Sequence, residues 1–295
     1  MSNSESKYVD LHCHGGGGFN FTDQKHENVQ VAIQFHKANG TDKLIASLVT
    51  AEISELKEQI RRLVPLCKNR ELAGIHLEGP YLSKARCGAH NPSQLKAPDL
   101  REISDLFELA EGALKMITFA PELPGALAAI ELTANKGAIA AIGHSDGSYQ
   151  DALNAVDAGA NLVTHFSNAM SKLRDGDKTF ATALLYESSL PLEIIFDNVH
   201  VDHNELSKIF DHAKDRIILV TDAMAATGQA DGRYSIGDLE VVVKEGIARL
   251  SSNQALAGST LTMNQAVSNA IAFGFSADLI ENAAINLPNR LLHLG

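Results

Sequence analysis

His12 and His14 stand one residue apart at the end of the apolar stretch Tyr8-Val9-Asp10-Leu11-His12-Cys13-His14, and four glycines follow. Along an extended strand, residues i and i+2 project to the same face, so the two imidazoles leave the strand end together. Imidazole suits zinc and similar divalent ions, and a convergent pair is chemistry for a metal. The chain has twelve histidines, and the same spacing also arises in packed cores and turns. The rest of the sequence has to decide.

Four more apolar segments end in a ligand or an acid. These are Glu78 in Gly74-Ile75-His76-Leu77-Glu78-Gly79-Pro80, His144 in Ile142-Gly143-His144-Ser145-Asp146, His165 in Val163-Thr164-His165-Phe166, and Asp222 in Leu219-Val220-Thr221-Asp222. Each has a structural explanation when taken alone. A lone His144 or His165 is satisfied by hydrogen bonds in a core, Glu78 before Gly-Pro can cap a turn, and Asp222 can cap the helical-looking Ala223-Met224-Ala225-Ala226. Recurrence at successive segment ends is what such roles do not account for. His76 lies one step deeper on the face of Glu78 and is expected to support or pack. His26, His36, His203, His212 and His293 fall on helical or loop segments and are expected to be solvated.

Residues so far apart serve one reaction only if the fold gathers the segment ends. Strands are predicted near 8–13, 44–50, 72–78, 114–120, 139–144, 161–166, 192–197 and 217–222, with amphipathic helices such as 53–64, 100–110, 124–135 and 148–157 between them. Strands separated by helices pair in parallel with right-handed crossovers, and eight units at this length favour a closed (β/α)8 TIM barrel of the α/β class over an open sheet. The C-terminal strand ends of a barrel form one mouth, which would bring the five segments together. The stretch from Ser235 to Leu250 reads as a β-hairpin inserted after the eighth strand, and 261–273 and 277–286 read as closing helices. The expected organisation is a disordered N-terminal segment over 1–7 and a single metal-dependent hydrolase barrel domain over 8–295.

With 295 residues, 45% of them hydrophobic, the chain can bury one large core. A formal charge of −11 argues against a sequence-independent grip on nucleic acid or an anionic membrane, since both need surplus Lys and Arg at the surface. Any anionic substrate must be held by local positive groups. Cys13, Cys67 and Cys87 show no paired spacing, the first residues are polar, and no apolar run approaches the roughly 20 residues that span a bilayer. A reducing cytoplasm is expected.

The segments His12-x-His14 with its glycines, His76-Leu77-Glu78-Gly79-Pro80-Tyr81-Leu82-Ser83, Gly88-Ala89-His90-Asn91-Pro92, Gly143-His144-Ser145-Asp146, Thr164-His165-Phe166-Ser167-Asn168-Ala169-Met170, Asp197-Asn198-Val199-His200-Val201 and Val220-Thr221-Asp222-Ala223-Met224-Ala225-Ala226 occur in this order. The set resembles the N-acetylglucosamine-6-phosphate deacetylases of the amidohydrolase superfamily, from about Tyr8 to the end. Family members usually carry a small β-sandwich built from both sides of the barrel, and this sequence is expected to lack it.

The resemblance implies hydrolysis of the N-acetyl group of N-acetylglucosamine 6-phosphate in amino-sugar catabolism. It implies a divalent metal, zinc, held by Glu78, His144 and His165 with a position left open for water. His12 and His14 would hold a second ion with Glu78 as the bridge, so one or two ions fit. Asp222 would take a proton from water and deliver it to the leaving amine, and His200 would help polarise the acetyl carbonyl. Asn168, Ala169, His90 and His200 would bind the substrate. So would an arginine that often comes from the neighbouring subunit of a homodimer, here Arg174, with Arg233 a weaker substitute. Two alternatives stay open: an amidohydrolase acting on another N-acyl sugar or a cyclic amide, and a non-catalytic metal-binding barrel that senses sugar phosphates. Asp222 speaks against the second, because pure binding needs no proton shuttle.

Overall fold

Strand β1 (Tyr8–Cys13) pairs in parallel with β2 (Thr41–Val49), and the sheet continues in chain order through β3 (Gly74–Glu78), β4 (Leu114–Phe119), β5 (Ile139–Ile142), β6 (Leu162–Val163), β7 (Leu192–Ile195) and β8 (Ile217–Val220). This computed structural model describes residues 7–174 and 176–292. The expected disordered segment 1–7, apart from Lys7, and His293 lie outside them. Closure comes from the seam between the first and last strands. Asp222 N donates to His12 O at 2.8 Å, His14 N donates to Ala223 O at 2.8 Å, and the Thr221 hydroxyl donates to the Asp10 carboxylate at 2.6 Å. The result is the expected TIM barrel.

The strands form because their apolar runs are buried on both faces, as parallel staves between a filled interior and a layer of helices must be. All four residues of β8 are buried. The interior holds an apolar layer that includes Val9, Leu11, Ile45, Met116, Ile139, Ala141, Leu162, Ile195, Ile218 and Val220. Leu287 and Leu291, from the last helical segment, join that layer. Outside, helix α1 (His26–Ala38) buries Val29, Ala32, Ile33 and His36, and α2 (Ile53–Lys68) buries Leu56, Ile60, Leu63 and Val64. The i, i+3/i+4, i+7 spacing makes each apolar stripe face the strands. Helix α3 (Leu100–Leu109) starts where the Asp99 carboxylate accepts the Arg101 and Glu102 amides, and α5 (Tyr149–Asp157) starts on a Ser148–Asp151 capping box. Helices α4 (Ala126–Asn135), α6 (Phe180–Thr182, continuing into a π turn over Ala183–Glu187), α7 (His203–Ala213) and α8 (Met263–Phe273) complete the layer.

The strands that lead to His144, His165 and Asp222 end sooner than the sequence suggests, and for one reason. His144, His165 and Asp222 adopt positive φ values of 46°, 23° and 49°, which turns the chain out of the ladder just where these side chains reach the mouth. Such backbone is costly for residues other than glycine and clusters at functional sites.

The stretch after β8 forms three antiparallel strands rather than a hairpin: β9 (Gly232–Ile236), β10 (Leu239–Lys244) and β11 (Ile247–Leu250). Two tight turns lie close together, with Gly237 at φ 53° in the first and Glu245 and Gly246 at 54° and 72° in the second. Ile236, Val241, Val243, Ala248 and Leu250 pack against Val49, Met224 and Ala257, seating this small sheet beside the barrel mouth. Among the described residues no β-sandwich accompanies the barrel, and no helix is long and apolar enough to cross a membrane.

Candidate active site

Glu78, at the end of β3, is the hub of the mouth. Its Oε1 lies 2.9 Å from His165 Nε2, 3.2 Å from His144 Nε2 and 3.4 Å from His12 Nε2, and its Oε2 lies 3.1 Å from His14 Nε2 and 3.3 Å from His90 Nε2. Asp222 Oδ1 stands 3.1 Å from His14 Nε2 and 3.6 Å from His12 Nε2. All these residues are buried. Four imidazoles and two carboxylates from the ends of β1, β3, β5, β6 and β8 thus meet as the spacing predicts, and His90, from the loop after β3, joins them.

The far side of three rings fixes their protonation, whereas His165 Nδ1 has no hydrogen-bond partner among the described residues. His12 Nδ1 donates to Glu193 Oε2 at 3.1 Å, His14 Nδ1 to Ser47 O at 3.1 Å and His144 Nδ1 to Arg86 O at 2.8 Å. These partners only accept, so Nδ1 carries the hydrogen and Nε2 of the neutral ring is a bare lone pair aimed into the cluster. Yet His12 and His14 bring their Nε2 atoms to 3.2 Å, and His144 and His165 bring theirs to 3.0 Å. The facing lone pairs of His12 and His14 need a cation between them, and the donor set of imidazoles and carboxylate is the one divalent ions such as zinc prefer. His90 is different. Its Nδ1 accepts the Thr50 amide at 3.3 Å, which leaves hydrogen on Nε2 and makes it a donor towards Glu78 and the cavity.

Electrostatics agree with a positively charged guest. Burial alone would raise the carboxyls of Glu78 and Asp222, but His12 and the hydrogen bonds of the neighbouring imidazoles outweigh it. Glu78 is held well below the usual carboxylate range and Asp222 at about 2. Burial lowers His14, while Asp222 and Glu78 raise it further, to about 9. The two acids stay anionic and draw positive charge to the ring nitrogens.

A polar layer supports the cluster from below. His76 Nδ1 is 2.9 Å from Ser47 Oγ, its Nε2 is 2.8 Å from Thr118 Oγ1, and its ring stands edge-on to His12. His76 therefore packs and supports, as expected. The glycines after His14 answer to space. A Cβ on Gly15 would run into the backbone of Phe19, and one on Gly16 would lie 2.6 Å from His36 Nε2. His36 corrects the sequence reading, since it is fully buried rather than solvated. It occupies the last position of the α1 apolar stripe, where its Nε2 donates to Gly15 O at 2.8 Å. The stripe periodicity could have shown this.

Above the cluster opens a cavity of about 350 Å³ lined by His14, Glu78, Arg86, His90, His144, His165, Asn168, Ala169, His200 and Asp222, with Ile236 and Leu256 among its apolar walls. That size suits a small molecule. His12 lies deeper. Arg174 is exposed and is not among the lining residues, and Arg233 pairs with Glu240 on the surface. The lining arginine is Arg86, whose Nε donates to Asp146 Oδ1 at 2.8 Å. Arg86, Asp197 beside His200, and Glu193 beneath His12 were not singled out in the sequence. An acid inside the apolar run Leu192-Glu193-Ile194-Ile195 was the one available signal for Glu193.

Comparison with known proteins decides the family. An N-acetylgalactosamine-6-phosphate deacetylase of Escherichia coli O157:H7 is 34% identical over 269 residues, 90% of this chain and 71% of that protein. An N-acetylglucosamine-6-phosphate deacetylase of Lysinibacillus sphaericus is 33% identical, over 89% of this chain and 69% of that protein. The chain belongs to the N-acetylglucosamine-6-phosphate deacetylase family. In three dimensions it superimposes on a mutant N-acetyl-D-glucosamine-6-phosphate deacetylase from Mycobacterium smegmatis in complex with N-acetyl-D-glucosamine-6-phosphate. The TM-score is 0.93 and the identity 40%, covering 97% of this chain and 77% of that one. No family model matches the sequence.

Proposed function

We propose that this chain hydrolyses the N-acetyl group of N-acetylglucosamine 6-phosphate, giving glucosamine 6-phosphate and acetate in the cytoplasm. The observation that carries the reading is the convergence of imidazole Nε2 atoms on Glu78, with Asp222 beside it at the mouth of a deacetylase-family barrel. Glu78, His144 and His165 would hold zinc, and His12 and His14 a second ion. When bound, such a cation polarises a carbonyl and makes water acidic enough to attack at neutral pH. The C4 epimer, N-acetylgalactosamine 6-phosphate, is a second reading only because a relative at 34% identity carries that name.

The chain's own groups divide the remaining work. Asp222, held at about 2, is a carboxylate at neutral pH and is placed to take the proton from the attacking water. It then returns that proton to the amine nitrogen as the amide C–N bond breaks. His200, which lines the cavity, faces the acyl group. Asn168, Ala169 and His90 receive the sugar phosphate, with His90 offering its Nε2 hydrogen. Arg86 adds positive charge from the same chain, and Arg174 would reach the phosphate across the subunit boundary of a homodimer.

Acetate release from the phosphorylated sugar, measured with metal-stripped and zinc-restored protein, tests the reading. Zinc-dependent turnover is expected. No acetate from either epimer after zinc is restored would sink it.

A further inference from the structure

We infer that Glu193 is a positioning residue that builds the His12 half of the metal cluster, an inference that rests on the metal-dependent reading above. Glu193 sits in the middle of β7, fully buried below the mouth. Its Oε2 accepts His12 Nδ1 at 3.1 Å and the His165 backbone amide at 3.2 Å, and its Oε1 has no hydrogen-bond partner among the described residues. Removing a carboxylate from water is costly unless its oxygens are satisfied. A carboxylate kept only for stability would be fully bonded, and this one is not.

Both of its contacts lead to residues of the cluster. Ser47 O and Arg86 O already orient His14 and His144 through neutral backbone oxygens, whereas His12 is oriented by a full negative charge. A carboxylate that accepts the remote N–H of a ligating imidazole locks its tautomer, aims its other nitrogen and makes that nitrogen a better donor. His12 is the deepest ring of the cluster. Its Nε2 lies 3.2 Å from His14 Nε2 and 3.4 Å from Glu78 Oε1, so a rotated or flipped His12 would take one of the two nitrogens away from any ion at that position.

The test is Zn²⁺ titration of the metal-stripped full chain against a chromophoric chelator, with Co²⁺ spectra to tell the two positions apart. Wild type should bind two ions. Glu193→Leu should weaken one of them by about 10- to 100-fold, the usual effect of losing such a partner, and leave the other within a few-fold. Glu193→Gln, whose amide oxygen can still accept the Nδ1 hydrogen, should restore most of that affinity. Nitrogen-15 spectra of the zinc-loaded wild type should show His12 carrying its hydrogen on Nδ1 with Nε2 bound to the metal, which needs no variant to fold. The inference is overturned if His12 carries its proton on Nε2, if wild type binds a single ion, or if Glu193→Leu holds both ions as tightly as wild type. Failure of wild type to release acetate would remove the proposed reaction and leave these metal measurements standing.

Discussion

His200 Nδ1 lies 2.7 Å from Asp197 Oδ2, while Oδ1 of the same carboxylate accepts the backbone amides of Val199 at 2.8 Å and His200 at 2.9 Å. Burial raises the Asp197 carboxyl, but the hydrogen bond and charge of His200 outweigh it and hold it below its ordinary value. The arrangement fixes which His200 nitrogen faces the cavity. Asp197→Asn keeps the shape and turns an amide N–H towards Nδ1, which favours the other tautomer. The expected result is a fall in kcat of about 10²-fold or more with metal content unchanged, by the same logic as the third member of a catalytic triad. An unchanged kcat would show that the His200 tautomer does not matter to the reaction.

Asp222→Asn separates proton transfer from metal holding. The amide keeps size and polarity but takes no proton, so kcat should drop by about 10² to 10⁴. Asp222 also lies 3.1 Å from His14, so metal analysis must accompany the kinetics. Full metal content with a lost kcat assigns the residue to the proton. Wild-type turnover in the variant would move that role elsewhere.

Glu78→Ala removes the one carboxylate in contact with His12, His14, His90, His144 and His165. The ring nitrogens then face each other with less negative charge to hold a cation. Loss of tightly bound metal and of acetate release is expected. The far-ultraviolet circular dichroism should stay native, because the apolar layer of the barrel lies below the cluster. Retained metal and activity would remove Glu78 from the site.

His36 gives a pH prediction away from the reaction. Burial lowers it from the ordinary 6.5 to about 4, with only the Gly15 carbonyl opposing. Between these values the unfolded chain binds a proton that the folded chain refuses. His36 therefore costs nothing above about pH 6.5, and stability falls as the pH drops towards 4, by about 3 kcal/mol in all. Denaturant unfolding of the wild type should show this slope, and His36→Gln should flatten it. Parallel slopes in the two proteins would place the acid sensitivity elsewhere.

The staves were legible because parallel strands buried on both faces read as unbroken apolar runs, even β6, where only Leu162 and Val163 remain in the ladder. Glu78, His144, His165 and Asp222 were legible because each interrupts such a run at its end. Glu193 and Asp10 interrupt theirs in the middle. Their meaning depends on partners that only closure of the barrel supplies, His12 for one and Thr221 for the other. In the sequence the small sheet reads as a hairpin over Ser235 to Leu250, a range that takes in β10, the Glu245-Gly246 turn and β11, while most of β9 lies before it, where Gly232-Arg233 follows the polar stretch Gly228-Gln229-Ala230-Asp231. Arg86 lay between the segments noted for Glu78 and His90, and no periodicity marks which loop side chain bends into a cavity.

The phosphate contact is the last and most exposed prediction. The net charge of −11 means that a phosphorylated sugar is held by local donors, and a charge-assisted hydrogen bond is roughly twice as strong as a neutral one. Arg86 is the only arginine or lysine among the lining residues, and it is already tethered to Asp146, so it offers a fixed charge at the cavity edge. Arg174 is exposed on its own chain and contributes only if a second subunit supplies it. Arg86→Ala and Arg174→Ala should each lower kcat/KM for N-acetylglucosamine 6-phosphate by about 10-fold or more, as losing a charged hydrogen-bond partner does. Neither should change turnover of unphosphorylated N-acetylglucosamine, because a phosphate contact acts only when phosphate is present. Mixed dimers of Arg174→Ala with an Asp222→Asn partner decide where Arg174 acts. If it reaches across the boundary, a site with intact Asp222 receives its arginine from the Asp222→Asn subunit and recovers activity. If both arginine variants treat the two sugars alike, the phosphate-binding assignment fails and an unphosphorylated N-acyl sugar becomes the better substrate.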